Sequence, residues 1–397
     1  MRILMLSHLY PGPVNPTKGI FVHEQVRALQ RLGHDVRVVS PTGWAPPGLS
    51  RWSAHRSVPR SDVLEGVRVL YPRKISLPGA KLGAQNARIM AAALRGPLRR
   101  IYKRWPFDII HAQMVVPDGW AAVQIGRDLG VPVLATAHRA DVIDLPARSP
   151  ALAAQVREAI GAIDQIVTVS RSIKDYTEAA GTPIRPIEVI PNGADTEVFY
   201  PRDRAETRRR LGVPEEGLVI SYVGQLVPRK GVDILIEALG MLSSRMDPLP
   251  LLVAAGKGPI REDLERRAAE LGIGERVRFV GKVPHDEVAE YMSVGDVFVL
   301  PSYSEGLPTV ACEALNCGVP IVATAVDGTP EVVRDGETGL LVPAGDAPAL
   351  ADALERILTD HDLRRRLAEQ AVIIGRKEFT WDANARQSVR LYEGVIG

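Results

Sequence analysis

The stretch LVISYVGQLVPRKGVDILIEALGMLSSRMDPLPLLVAA, residues 218–255, decides the fold. LVISYVG reads as a buried strand, QLVPRKG as a polar loop, VDILIEALGML as an amphipathic helix, and LPLLVAA as the next strand. The start of the chain repeats the plan. ILMLSH is a strand and PGPVNPTKG a loop. IFVHEQVRALQRLG then sets Val22, Val26, Leu29 and Leu32 at helical spacing before Gly33, and DVRVVS is the next strand. Lys18-Gly19 and Lys230-Gly231 hold equivalent places in the two copies. Strands alternating with helices predict parallel sheets covered on both faces. Further strands read at FDIIHA, VPVLATAH, DQIVTVS and IEVIP, and then at RVRFVG, DVFVLP, VPIVAT and TGLLVP.

A chain of 397 residues is too long for one ordinary core. The expected fold class is α/β: two Rossmann-like doubly wound domains over residues 1–195 and 196–378. A last amphipathic helix, 379–397, is expected to pack back on the first. Two such domains leave a cleft beyond the carboxyl ends of their strands, where ligands bind in open parallel sheets. The charge supports the division. Residues 1–195 carry 25 Lys and Arg against 15 Asp and Glu, and residues 196–397 carry 24 against 32. The basic first half is expected to meet something anionic. No apolar run approaches the ~18–20 residues of a membrane-spanning helix. The opening MRILMLSHLY reads as a strand and not as a signal peptide. Cys312 and Cys317 read as two buried small side chains in a reducing compartment, so a cytoplasmic protein is expected.

Two stretches carry candidate chemistry in the second half. In PSYSEGLPTVACEALNCGVPIVAT, residues 301–324, Glu305 ends a strand and Glu313 lies one turn into the following helix. Pro308 suits the first turn, and Gly318 and Pro320 end the helix. The free N–H groups around Thr309 favour an anion or a hydroxyl-rich ligand, and two acceptor carboxylates suit the vicinal hydroxyls of a sugar. The plainer reading makes Glu305 a dipole-stabilising cap and Glu313 a surface residue. In VGQLVPRKG, Gly224 lets backbone approach a ligand, while Arg229 and Lys230 set two cations at a helix start, a diphosphate cradle. AGKGP, with Gly256, is one more glycine turn at a strand end. In the first half, His138 and Asp141 follow a buried strand. A histidine there either bonds a substrate hydroxyl or a backbone carbonyl, or is structural.

These residues together resemble the retaining glycosyltransferases of family 4, which have the GT-B fold. The resemblance runs over essentially the whole chain. EGLPTVACE matches the family's E-x7-E motif, and PNGAD, VGQLVPRKG, AGKGP, VPH at 283–285 and DGETGLLVP support it. The opening SHLYPGPVNPTKGIFVHEQVRAL looks like members that build cell-surface polysaccharides such as teichuronic acid. The resemblance implies a donor-binding second domain and an acceptor-binding first. Glu313 would hold the donor ribose, and Glu305 the hydroxyls of the donor sugar. The backbone at Gly306, Leu307 and Thr309 would hold the sugar and phosphate. Arg229 and Lys230 would bind the diphosphate, which Gly19 would approach from the first domain. His138 would stand beside the reacting centre, with Asp141 on the acceptor side. Many relatives carry Gly-Arg where this chain has Gly224-Gln225, so one phosphate contact is missing or is supplied by Arg229. The implied reaction needs no metal and no cofactor. Its donor is a UDP- or GDP-linked sugar, and its mechanism is front-face attack with the departing phosphate accepting the proton.

An NAD-linked oxidoreductase would want G-x-G-x-x-G after the first strand, and residues 6–19 lack that spacing. A nucleotide-sugar 2-epimerase or hydrolase would share the fold and donor site. A non-catalytic sugar-nucleotide binder would be expected to lack one of the paired carboxylates or cations. No nucleic-acid partner is expected. ARIMAAALRGPLRRIYKRW, residues 87–105, interleaves six cations with apolar residues, with a break expected at Gly96-Pro97. It reads either as a core-facing helix with a solvated basic back or as an interfacial helix on anionic lipid.

Overall fold

The structure is a computed structural model that describes residues 1–44, 57–75 and 83–397. It divides into two units: Met1–Pro191 with Asn384–Gly397, and Asn192–Ala383.

The first unit holds β1 (Arg2–Leu6), β2 (Asp35–Val39), β3 (Thr42–Trp44), β4 (Ser61–Leu64), β5 (Val67–Leu70), β6 (Arg73–Ile75), β7 (Ile109–Ala112), β8 (Val133–Ala137), β9 (Gln165–Thr168) and β10 (Glu188–Val189). Its main sheet has the order β10-β9-β8-β7-β1-β2-β5-β4, and β3 pairs with β6 separately. All pairings are parallel except β4 with β5, so the expected all-parallel sheet ends in an antiparallel edge. The hairpin Ser61–Leu70 escaped the sequence reading, because Leu64-Glu65-Gly66-Val67 lacks the length that separates strands elsewhere. Ile3, Leu4, Met5 and Leu6 of β1 are fully buried, as a central strand covered on both faces requires.

The helix Gly83–Arg104 runs unbroken through Pro97, against the expected break. Proline in a helix interior loses a hydrogen bond and crowds the preceding turn. Here Leu94 and Leu98, both fully buried, dock the helix on either side of it. Packing of the apolar face outweighs the local penalty. The face that an interfacial helix would insert is therefore inside the protein. Met90, Leu94 and Leu98 are buried, and Trp105 is 4% exposed.

The second unit holds β11 (Val219–Val223), β12 (Leu251–Ala255), β13 (Val277–Gly281), β14 (Val297–Leu300), β15 (Ile321–Thr324) and β16 (Gly339–Val342), ordered β13-β12-β11-β14-β15-β16 and all parallel. The helix Val232–Leu242 buries Leu235, Ile236, Leu239 and Leu242 against this sheet.

Both boundaries fall a few residues from those expected, at 191/192 and 383/384 instead of 195/196 and 378/379. The PNGAD turn is held by second-unit contacts. Asn192 Nδ2 donates to Thr309 Oγ1 at 3.3 Å, and Ala194 N–H to the Phe379 carbonyl at 3.0 Å. The helix Trp381–Ile396 belongs to the first unit from Asn384 onward. Gln113 Nε2 donates to Gln25 Oε1, and Gln25 Nε2 to Asn384 Oδ1, each at 2.7 Å, and Tyr392 Oη lies 2.6 Å from His111 Nδ1. Buried polar groups paired this fully hold the helix in one register.

Candidate functional site

In the second unit the chain order of the strands reverses between β11 and β14. The loops leaving these two neighbours meet at the carboxyl edge of the sheet. The β11 loop ends in a short helix, Pro228–Lys230, and Gly231 then starts the helix Val232–Leu242 with φ 63°. A Cβ on Gly231 would lie 1.9 Å from the Pro301 carbonyl oxygen of the β14 loop, so glycine lets the two loops touch.

Arg229, Lys230 and Glu305 meet at that contact. Lys230 Nζ donates to Glu305 Oε1 at 2.5 Å, and Ser302 Oγ donates to the same oxygen at 2.6 Å. Arg229 Nη1 donates to the Ser304 carbonyl at 2.5 Å and lies 3.5 Å from Glu305 Oε2. Asp327 Oδ2 accepts from Ser304 Oγ at 2.5 Å and from Glu305 N–H at 2.9 Å, which fixes the loop from behind. Glu305 is 6% exposed. Burial pushes its pKa up, but the Lys230 ammonium, the hydrogen bonds from Lys230 and Ser302, and Arg229 outweigh this and hold it below the usual carboxylate range. Two cations, Arg229 and Lys230, thus stand against the Glu305 carboxylate, with the Asp327 carboxylate behind the loop.

The helix Thr309–Asn316 follows, with Pro308 as its N-cap and not inside its first turn. Ala311 and Cys312 N–H donate to the Pro308 carbonyl. Leu307 and Glu313 are buried. Gly306 completes the turn between Glu305 and the helix. Cys312 and Cys317 are buried free thiols, and burial pushes the Cys317 thiol up to about 12.

At Gly224 and Gly256 the space a side chain would need is taken by protein. Gly256 has φ 157°, and its Cβ would lie 1.7 Å from the Gly224 carbonyl oxygen. A Cβ on Gly224 would meet Tyr222 Oη at 2.6 Å. Gly256 lets the β12 loop lie against the β11 loop, and Gly224 leaves room for the Tyr222 ring. Asp360 and Asp362 have Asp-x-Asp spacing but serve a helix start: Asp360 Oδ1 caps Leu363 N–H at 2.9 Å, and Asp362 pairs with Arg365 at 2.9 Å. Among the described residues no three or more His, Cys, Asp or Glu side chains form a group suited to a metal ion.

The first unit has the same reversal between β1 and β7. The loops there bring His8 Nδ1 to 2.8 Å from Asp118 Oδ2, and Lys18 Nζ donates to the His8 carbonyl at 2.8 Å. Gly19 starts the helix Ile20–Arg31 with φ 64°. Its Cβ would lie 2.3 Å from the Leu9 carbonyl oxygen, so it too serves a loop contact. His138, at the end of β8, packs edge-on to Phe21 at 5.2 Å, and its Nε2 is buried without a hydrogen-bond partner among the described residues. Burial lowers its pKa to about 4 against the opposing Asp118 charge, so the ring is neutral. Asp141, given to the acceptor side by the sequence reading, is fully buried. Its oxygens accept from His138 N–H at 2.8 Å and Val115 N–H at 2.5 Å. It braces the His138 loop and offers no oxygen to a ligand. Burial raises its pKa to about 7 despite those hydrogen bonds.

His8 and Asp118 escaped sequence reasoning, although each follows a strand that was read. Their pairing depends on β1 lying next to β7, about a hundred residues away in the chain.

Comparisons with known proteins agree with this geometry. The family model Glycosyltransferase Family 4 matches residues 19–198, and Glycosyl transferases group 1 matches residues 203–372. The protein of Bacillus subtilis (strain 168) named for teichuronic acid biosynthesis, glycosyltransferase TuaC, is 30% identical over 100% of this chain and 99% of its own. Sucrose-phosphate synthase from Thermosynechococcus elongatus superposes with a TM-score of 0.82 at 26% identity, covering 100% of this chain and 99% of that one. HepE from Anabaena, solved in complex with UDP-glucose, superposes with a TM-score of 0.75 at 20% identity, covering 99% and 100%. With two doubly wound units and full-length relatives that are glycosyltransferases, the chain belongs to glycosyltransferase family 4 and has the GT-B fold.

Proposed function

We propose that the chain transfers a hexosyl group from a UDP- or GDP-linked sugar to a hydroxyl of a glycan, a glycolipid or other lipid-linked acceptor, or a small molecule, with retention at the anomeric carbon and without a metal. The observation that carries this reading is the Arg229–Lys230–Glu305 cluster at the β11–β14 switch point. A diphosphate there takes over part of the contact that Lys230 and Arg229 make with Glu305. The freed carboxylate oxygen then accepts hydroxyls of the donor sugar, and Glu313 holds the ribose.

As the bond from the anomeric carbon to the β-phosphate breaks, negative charge grows on that phosphate. The Arg229 and Lys230 cations and the N–H group of Thr309 stabilise it where it forms. The acceptor oxygen bonds to the anomeric carbon on the same face, and its proton goes to the departing phosphate. In the first unit, the neutral His138 with its unpartnered Nε2 suits a hydroxyl hydrogen bond. The complex of HepE with UDP-glucose supports the donor class. The reading includes a cytoplasmic enzyme that meets a lipid-linked acceptor at the inner membrane face. Among the described residues no helix is long and apolar enough to cross a membrane.

A thermal-shift screen of nucleotide sugars, followed by transfer assays with the donors that bind, tests this. A true donor at 100-fold its Kd adds about 2.7 kcal/mol of stability. No stabilisation by any sugar nucleotide would refute the reading. Release of a C2-epimerised sugar without acceptor would replace it with epimerisation.

A further inference from the structure

His8 and Asp118 meet at the β1–β7 switch of the first unit, the edge at which open parallel sheets bind their ligands. Asp118 is fully buried, and its carboxylate takes its hydrogen bonds from His8. The His8 N–H donates to Oδ1 at 3.2 Å and to Oδ2 at 3.3 Å, and ring Nδ1 lies 2.8 Å from Oδ2. Among the described residues no lysine or arginine pairs with Asp118, and Lys18 Nζ is taken by the His8 carbonyl.

A carboxylate only accepts, so Nδ1 carries the hydrogen and the ring is fixed in one orientation. The outer edge of the ring is left over. The His8 side chain is 27% exposed, and among the described residues its Nε2 has no hydrogen-bond partner. Nε2 accepts when the ring is neutral and donates when it is charged. A hydroxyl answers both, because it donates and accepts.

His8 lines a cavity of about 110 Å³ with Asn15, Ser40, Thr42 and Tyr71. Tyr71 Oη is already given to the Pro11 carbonyl at 3.3 Å, and Asn15 Oδ1 accepts from Thr17 N–H at 3.3 Å. Ser40 Oγ, like His8 Nε2, has no partner among the described residues. Whole small-molecule sites run to ~300–1,000 Å³. This cavity therefore fits the hydroxyl-bearing edge of a ring and not the entire ring. His138 ends β8, and β7 lies between β8 and β1 in the sheet, so the two histidines serve different hydroxyls.

We propose that His8, positioned by Asp118, binds a hydroxyl of a glycosyl ring. The site itself stands on first-unit geometry. Its assignment rests on the transfer reading, under which the ring belongs to the acceptor and this hydroxyl is a neighbour of the attacking one. The acceptor is then a polyhydroxylated sugar unit and not an isolated alcohol.

Ligand-observed NMR on the full-length protein tests the site. The probes are methyl α-D-glucopyranoside, methyl α-D-galactopyranoside and methyl α-D-mannopyranoside, each with and without UDP or GDP. At least one should bind, and cyclohexanol, with a single hydroxyl, should bind more weakly than that glycoside. His8→Asn keeps an amide donor where Nδ1 meets Asp118 and places nothing where Nε2 stood. Its melting temperature should hold while glycoside affinity falls roughly tenfold. His8→Gln sets its amide at the Nε2 position and leaves Asp118 without the ring, so affinity should largely recover while the melting temperature drops. Asp118→Asn should weaken binding too, but add nothing in the His8→Asn background, because Asp118 acts only through the ring. In transfer assays His8→Asn should raise the acceptor KM about tenfold and leave the donor KM unchanged. Glycoside binding lost in His8→Asn, with no transfer by the parent to any acceptor, upholds the site and refutes the transfer reading instead. Failure of every glycoside to bind the parent, equal binding of cyclohexanol, unchanged affinity or acceptor KM in His8→Asn, or additive losses in the double variant would each overturn the proposal.

Discussion

Lys230→Ala leaves the Glu305 carboxylate buried, with Ser302 Oγ at 2.6 Å and Arg229 at 3.5 Å as its remaining partners. Removing one member of a buried ion pair costs about 3–5 kcal/mol when nothing replaces it. Two partners remain, so about 2–3 kcal/mol is expected here. Glu305→Gln in the same background removes the stranded charge and should recover most of that loss. The double-mutant coupling should then be about 2 kcal/mol, well above the ~0.5 kcal/mol of independent sites. Nucleotide binding should behave differently. Affinity for a nucleoside diphosphate falls in Lys230→Ala and stays low in the double variant, because the cation that meets the phosphate is still absent. Urea denaturation gives the first quantity, and titration calorimetry the second. pH adds a check on sign. Glu305 has a folded pKa below its ordinary 4.5, so its contribution is present above that pH and is lost as acid protonates it. The stability gap between parent and Lys230→Ala should therefore narrow below about pH 4.5. Additive single effects would refute the buried-pair argument, and unchanged nucleoside diphosphate affinity in Lys230→Ala would remove Lys230 from the donor site.

Glu313→Gln should raise the donor Kd by the ~1.5–3 kcal/mol of a charged hydrogen bond without lowering Tm, read by calorimetry and thermal melting. Gly256→Ala should destabilise by at least about 2 kcal/mol, because its Cβ would lie 1.7 Å from the Gly224 carbonyl oxygen; denaturant midpoints measure this. His138 has a folded pKa of about 4 against an ordinary 6.5, so the unfolded chain binds its proton first as pH falls. Stability should drop by up to about 2 kcal/mol from pH 6.5 to 4, and His138→Gln should flatten that slope in urea titrations across the range. Asp141→Asn should cost about 1–3 kcal/mol, since one of its two backbone amide donors would face an NH2 group; hydrogen exchange at Val115 and His138 would rise with it.

The sequence by itself determined the elements and the plan. Strand, loop, helix and strand follow from local periodicity and from stops such as Gly33, and the period of the pattern does not depend on what packs against it. Hence β1, β2, β7–β10 and β11–β16 were legible, as were Glu305, Arg229 and Lys230 as charges at loop ends. The order of the strands was not legible, because a parallel strand pairs equally well on either side of its neighbour until crossovers and core packing choose. That order alone brings Lys230 to Glu305 and His8 to Asp118. It also decided what two glycines accommodate: Gly256 has the β11 loop against it, and Gly224 the Tyr222 ring. The helix Gly83–Arg104 shows the same division of labour. Its amphipathic pattern was readable, but only burial of Leu94 and Leu98 carries it through Pro97 and turns its apolar face inward.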